Sequence, residues 1–347
     1  MSRFGYDAAG RLVRASNRHA EVCFVYDRCG RLLAEECNGR AMTSTYDAAG
    51  RRLRRVTPSG AVADWSWTPE GRAAAVTTAG TTVAFHRDAP GNEIERRVGP
   101  AAVLRQEWDR GRRLVSQALV QDGGTRQRGF RYRGAGRMTG AGAAELTLDD
   151  LGRVVALTSA EHSERYAYDP LGNLTAAEVR TGDRLSESTE DTSLTYSGTL
   201  LRTAGRRRYE HDGQGRLVRK SVRTLSGKLR EWTYEWDAED RLLALTCPDG
   251  ALWEYAYDPL GRRIGKRRRD GAVTTQETVF AWDGSRLAEE ISGGRVTTFD
   301  WEPGADEPGG NHEEAGRLQV VPRPHERKVG VPDRVRDGQG PLQGDQG

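Results

Sequence analysis

The chain has 347 residues, 36% of them hydrophobic and 30% charged, and a formal net charge of only +3. That balance provides no global field to attract a specific nucleic acid, and no apolar run is long enough to cross a bilayer, so membrane insertion is not expected. Four cysteines, at Cys23, Cys29, Cys37 and Cys247, include no C-x-x-C pair, and their spacing fits neither a zinc site nor a disulfide framework.

The N-terminus, MSRFGYDAAGRL, has no apolar core of a signal peptide and enters a repeat at once. YDAAGRL begins at Tyr6, YDRCGRL at Tyr26 and YDAAGRR at Tyr46, and a fixed period near twenty residues marks a repeat architecture. Continuing along the chain, the place of Tyr6 is taken by Trp67, Arg87, Trp108, Tyr132, Leu148, Tyr168, Tyr196, His211, Trp236, Tyr257 and Trp282. Residues 1–307 therefore read as about fourteen units.

Eleven of these anchors are followed by aspartate, and ten units carry glycine three residues after that place. The signature is clearest at Asp7 and Gly10, Asp27 and Gly30, Asp47 and Gly50, Asp169 and Gly172, Asp212 and Gly215, and Asp258 and Gly261, with Asp283 following Trp282. Aspartate suits the first position of a turn because its carboxylate accepts backbone N–H groups. Glycine suits the fourth because it reaches positive φ without a steric cost. Each unit is thus expected to be a strand, a four-residue turn and a returning strand.

Two residues before the anchors stand Phe4, Phe24, Trp65, Phe85, Phe130, Tyr166, Tyr209, Tyr234, Tyr255 and Phe280. A spacing of two puts both rings on one face of a strand, and a helical period is absent. The sequence predicts an all-β fold in which tandem hairpins pair edge to edge into a long continuous sheet, since one hairpin cannot bury its own rings. The alternating positions, rich in Arg, Glu and Thr as in RRLRRVTPSG and KSVRTLSGKLREW, read as the wet face.

At YDAAGRL, YDRCGRL, YDPLGNL and YDPLGRRI, and at AWDGSRLAEE followed by FDWEPGADEP, the chain resembles the YD repeats of the Rhs (rearrangement hotspot) family. The resemblance implies a sheet that spirals into a hollow shell around a C-terminal toxin, in effectors of competition between bacteria. Implied partners of a full-length relative are its own C-terminal toxin and a secretion apparatus. The shell is expected to be a container and not an enzyme, made in the cytoplasm and secreted or displayed at the surface in such a relative. In many members a segment beginning with a D-H-x-G-x-P-type stretch cuts the toxin free through aspartates. Beyond Glu307 that segment is missing here, and residues 308–347 contain no aromatic residue. This composition reads as a disordered tail, expected to be out-of-frame translation from near residues 320–324, with the chain a fragment of a larger gene.

Searches for other chemistry return little. H-E-x-x-H, G-x-S-x-G and P-loop patterns are absent, so no catalytic residue, metal ligand or cofactor is expected. The repeated aspartates each begin a turn, and one D-x-x-G per unit supplies too few oxygens for calcium. The basic runs Arg206-Arg207-Arg208 and Lys266-Arg267-Arg268-Arg269 read as exposed strand residues beside acidic neighbours. Two further functions stay open: a surface adhesion or carbohydrate-binding repeat protein, since ring ladders stack on sugars, and a cassette without function until joined to a toxin.

Overall fold

The computed structural model describes residues 1–181, 184–185, 194–301 and 317–318. Within them each repeat unit is a hairpin. The strand Arg3–Tyr6 returns as Leu12–Ser16, Glu21–Tyr26 as Leu32–Cys37, and Arg40–Tyr46 as Arg52–Val56. Within each sheet every strand pairs antiparallel with its chain neighbour, so the described residues form one meander of nineteen strands, a second of eleven from Leu194 to Thr298, and a pair made by Asp300–Trp301 with Arg317–Leu318. Among the described residues the only helical element is a single 3₁₀ turn at Gly134–Gly136.

A one-residue slip recurs just before the anchor. Gly5 faces Arg14 but Tyr6 faces Leu12; Thr45 faces Arg54 but Tyr46 faces Arg52. The same slip precedes Tyr26, Trp67, Trp108, Tyr168, Trp236, Tyr257 and Trp282. Each is a bulge, which bends the strand that carries it and raises the local twist. Repeated once per unit, it coils the strip.

The coil brings the two ends of the array together. Asn17 donates from Nδ2 to the carbonyl of Tyr257 at 2.9 Å, and Arg52 reaches across to Asp283. The main hydrophobic cluster lies in the first units, where Ala63, Trp65, Ala73, Val76, Val83 and Phe85 pack together. Val22, Met42, Trp65, Val76, Val83 and Phe85 are buried from the first units, and Ala251, Tyr257, Ala288 and Phe299 from the last. Each fully buried aliphatic or aromatic side chain there contributes about 1.5–3 kcal/mol.

Two expectations need amendment, and a third falls outside the described residues. First, the sheet is not continuous among the described residues: no strand pairing joins the nineteen strands to the eleven. The interval between Tyr168 and Tyr196 is the longest in the array, and its extra residues leave Leu174–Thr181 to pair onward with Arg184–Leu185 instead. The link survives through side chains, because Tyr196 Oη donates to the carbonyl of Leu174 and Asn173 Nδ2 to that of Gly198. Second, RRLRRVTPSG is not wholly a wet face, for Arg55 and Thr57 are 1% and 3% exposed. Arg55 faces Ser44 and Ala63 across the strands, on the side that carries the rings, where the end of the array covers it. The expected tail, residues 308–347, lies outside the described residues apart from the strand Arg317–Leu318, which pairs with Asp300–Trp301.

Candidate functional site

Two arrangements organise the molecule: a turn clamp repeated along the array, and a charged seam where the array meets itself. The clamp is clearest around Asp27. Its Oδ1 accepts the backbone N–H of Cys29 at 2.8 Å and of Arg31 at 2.9 Å, while Oδ2 accepts Nε of Arg31 at 2.5 Å. The Arg31 guanidinium then donates from Nη1 to the carbonyl of Asp47, at the start of the next turn, at 2.6 Å. It also lies 5.6 Å over the ring of Tyr46. Tyr46 closes the circuit by donating from Oη to the carbonyl of Leu32 at 2.9 Å.

The same bonds recur. Arg11 joins Asp7 to the Asp27 turn and covers Tyr26; Arg153 joins Asp149 to the Asp169 turn and covers Tyr168; Arg216 joins Asp212 to the Asp237 turn. At Asp169 an asparagine, Asn173, fills the arginine place and holds Oδ2. Gly10, Gly30, Gly50, Gly172, Gly215 and Gly261 all lie at φ between 78° and 86°, where a side chain would be strained. Backbone N–H donation from the following arginine, together with its side chain, holds the carboxyls of Asp7, Asp27 and Asp47 below the usual carboxylate range, against the opposing effect of burial.

The clamp explains a choice that the ring pattern leaves unread. Where the anchor is Tyr or Trp, as in eleven of the fourteen units, its ring carries a hydrogen-bond donor. Trp67, Trp108, Trp236 and Trp282 use Nε1 on the carbonyls of Arg52, Glu93, Leu217 and Arg263, at 2.8–2.9 Å. Phenylalanine, which cannot donate, occupies no anchor but appears at the place two residues earlier. By the same bond Trp301, to the carbonyl of Leu287 at 2.8 Å, is a further anchor that the aspartate-based alignment missed. Tyr6, at the head of the array, is 62% exposed.

Asp283 departs from the others. Its carboxylate leaves its own turn and receives Arg52 through both Nη atoms, at 2.5 and 2.9 Å, and Arg55 at 3.4 Å. Arg55 also donates to the carbonyl of Phe299 at 3.0 Å and to the carboxylate of Asp300, and its guanidinium lies 5.9 Å from the Trp65 ring. Asp258 stays in its turn, but its partner Arg262 reaches across at 2.5 Å to Glu35. Ser59 Oγ donates to Glu289 at 3.1 Å. Asp258, Glu289 and Asp300 are fully buried. Burial pushes Asp283 up, but the two arginines outweigh it and hold the carboxyl below its usual range. For Glu35 burial prevails over Arg262 and the carboxyl is raised. Burial raises the Cys37 thiol to about 11.

A small cavity opens into the seam, lined in part by Glu35, Cys37, Met42, Asp258, Arg262 and Phe280. Among the described residues no group of three or more His, Cys, Asp and Glu is placed to hold a metal ion, and Cys23, Cys29, Cys37 and Cys247 are free thiols. His211 sits at its anchor place opposite Leu217.

Comparison with known proteins places this geometry. Residues 143–276 match the family model "Teneurin YD-shell". The chain is 32% identical over 225 residues to the probable deoxyribonuclease RhsB of Dickeya dadantii, covering 60% of this chain and 15% of that protein. It is 30% identical over 262 residues to the toxin protein Tse5 of Pseudomonas aeruginosa, covering 64% and 19%. A match of 28% over 197 residues to the double-stranded DNA deaminase toxin A of Burkholderia cenocepacia covers 48% and 13%. The chain thus spans less than a fifth of the length of each of these relatives. Among solved structures, the Photorhabdus luminescens Tc holotoxin pore superposes with a TM-score of 0.56 at 13% identity, over 87% of this chain and 20% of that one, which shows a shared fold.

Proposed function

We propose, from the premise that this chain is an Rhs/YD-repeat family protein, that it is a wall segment of a container enclosing a toxin domain and is not itself an enzyme. One observation carries this reading. Among the described residues a strip of thirty strands in two sheets, built from a single reiterated turn clamp, curves until residues 17–59 meet residues 257–300 across buried ion pairs. A wall needs curvature and closure, and the side chains that are most organised here serve both. The repeat signature, Tyr6, Asp7 and Gly10 through Trp282 and Asp283, is accordingly structural: its polar atoms are spent on neighbouring turns and strands, not aimed at a substrate.

The relatives named as a probable deoxyribonuclease and as toxins carry most of their length outside the matched part. Their names fit a wall joined to varied cargo, here supplied by the longer protein with its export apparatus. Surface adhesion is less well supported, because Arg11, Arg31, Arg153 and their counterparts already cover the anchor rings that a sugar would need.

A reporter domain fused after Gly347 tests the container. Digestion of the fused reporter by trypsin should be markedly slower than digestion of the free reporter, and an Arg55→Ala change at the seam should remove the protection. Equal digestion of fused and free reporter, together with saturable binding to a glycan, would overturn the container in favour of adhesion.

A further inference from the structure

We propose that the seam is a proton-dependent latch: as the array closes on itself Glu35 takes up a proton, so the closure holds most firmly in mildly acidic solution. The latch is a property of the closure itself, whatever lies inside it. The observation behind it is an excess of acids over arginines among the buried groups of the seam.

Among the described residues the seam gathers the carboxyl groups of Glu35, Asp258, Asp283, Glu289 and Asp300, while its ion pairs use Arg52, Arg55 and Arg262. Three of the acids are matched one to one. Arg52 takes Asp283 through both Nη atoms, Arg55 takes Asp300, and Arg262 takes Asp258 through Nε at 2.6 Å. Two acids are left over. Glu289 accepts from Ser59 Oγ at 3.1 Å, and its Oε1 has no hydrogen-bond partner. Glu35 has to share Arg262, which Asp258 already holds within its own turn. Removing a charge from water is costly unless an opposite charge compensates it, and half of one arginine is poor compensation.

The surroundings of Glu35 make it the group to neutralise. It is 5% exposed, stands between Phe24 and Met42 on the neighbouring strands, and lines the small cavity with Phe280. Its Oε1 accepts Arg262 Nη1 at 2.5 Å, but Oε2 receives the backbone N–H of Gly284 at 3.4 Å, a length that stabilises little charge. Half-buried Arg40 lines the same cavity, Glu36 lies on the other face of the strand opposite Cys23, and the Cys37 thiol, raised by burial to about 11, is neutral. Burial raises the Glu35 carboxyl, and the like charge of Asp283 adds to this, against Arg262 and Gly284. Once neutral, Glu35 still accepts from Arg262, and each seam arginine answers one aspartate. The closed state therefore binds the extra proton: its stabilisation is complete below the open-state value, near 4.3, and is lost as pH rises through the higher closed-state value. Despite burial, Arg52 and Arg55 hold Asp283 below its usual range, so that pair survives where Glu35 titrates. His19 acts in the opposite sense. Burial, with Arg18, Arg241 and Arg267, lowers its imidazole, which weakens closure as pH falls below about 6.5.

The test measures hydrogen exchange of the full chain and of Glu35→Gln between about pH 5 and 8, corrected for the intrinsic pH dependence of amide exchange. The variant keeps the shape of the side chain and cannot titrate, and because His19 is present in both proteins their comparison cancels its effect. The ratio of wild-type to variant protection over 32–37 and 258–264 should rise about threefold or more from about pH 8 to about pH 5, towards tenfold for each unit by which closure raises the Glu35 carboxyl. Over Leu114–Arg133, far along the array, the ratio should stay constant. Glu36→Gln, on the exposed face of the same strand, should track the wild type at every pH. Thermal melts establish that the variants fold, and Glu35→Met supplies a second neutral side chain of similar length if the glutamine does not. A seam ratio that is constant, or that falls towards acid, would overturn the latch, as would a Glu36→Gln response equal to that of Glu35→Gln. Neither result would bear on the protection of a fused reporter, which tests the container separately.

Discussion

Arg55 is the residue whose loss should most damage the closure. Its side chain is 1% exposed and is shared among the carboxylates of Asp283 and Asp300, the carbonyl of Phe299 and the ring of Trp65. Arg55→Ala leaves Asp300 buried without a cation, whereas Asp283 keeps Arg52. Removing one partner of a buried ion pair costs about 3–5 kcal/mol, because the remaining charge cannot regain its water. At 1.4 kcal/mol per factor of ten, that raises the opening equilibrium of the seam by roughly two to three and a half powers of ten. Hydrogen exchange resolved by mass spectrometry reads this directly. Amides of 283–301 and of 40–56 should lose protection by that factor, while those of the middle units, such as 144–168, should not change. Removing both charges, with Arg55→Met and Asp300→Leu, should restore most of the protection, since a buried pair replaced by apolar residues of similar volume is close to neutral. If Arg55→Ala cost less than about 1 kcal/mol, or if the double variant were as open as the single, the seam would not be held by this ion pair.

Four other outcomes follow from the repeat and the seam. Tyr46→Phe removes the hydrogen bond to the carbonyl of Leu32 and should cost about 0.5–1.5 kcal/mol in a urea titration, whereas Tyr46→Trp, which keeps a donor as at Trp67, should cost less. Gly30→Ala places a Cβ at φ 82° and should cost about 1–2 kcal/mol, while Arg112→Gly, at φ 60° in the same turn position, should be neutral or stabilising; thermal melts decide both. Because the carboxyls of Asp27, Asp47 and Asp283 are depressed in the folded state, their contribution is complete above the unfolded value near 4 and is lost as pH falls through the lower folded values. Circular dichroism should therefore show these contributions intact between about pH 5 and 8 and lost only below about pH 4, and a loss centred near neutrality would contradict the assignment. Iodoacetamide at mildly alkaline pH should label exposed Cys29 first and Cys37 last, since burial holds the Cys37 thiol near 11; labelling of Cys37 at the rate of Cys29 would mean that the seam is open.

The local half of this molecule is written in short range. An aspartate at each turn start, a glycine that tolerates positive φ and a ring two residues before an anchor act within a single hairpin, so the letters at Tyr26, Asp27 and Gly30 are enough to place strand, turn and return. That no Phe stands at an anchor, while Tyr or Trp stands at most of them, is visible in the sequence, though its reason is not. The donor serves the carbonyl of a residue fourteen or more positions earlier, such as Leu32 for Tyr46, and only the bulged register makes that carbonyl available.

What sequence alone determined is the unit and its repetition, because every bond of the turn closes within about five residues and repeats with the motif. What only the tertiary structure decided is where the strip returns on itself. Arg55 and Asp300 lie 245 positions apart, and nothing in RRLRRV distinguishes an arginine destined for burial from its solvated neighbour Arg54. The small rotation added by each bulge must accumulate over a dozen units before Asp283 arrives above Arg52, and that sum is a property of the whole coil that no single repeat encodes.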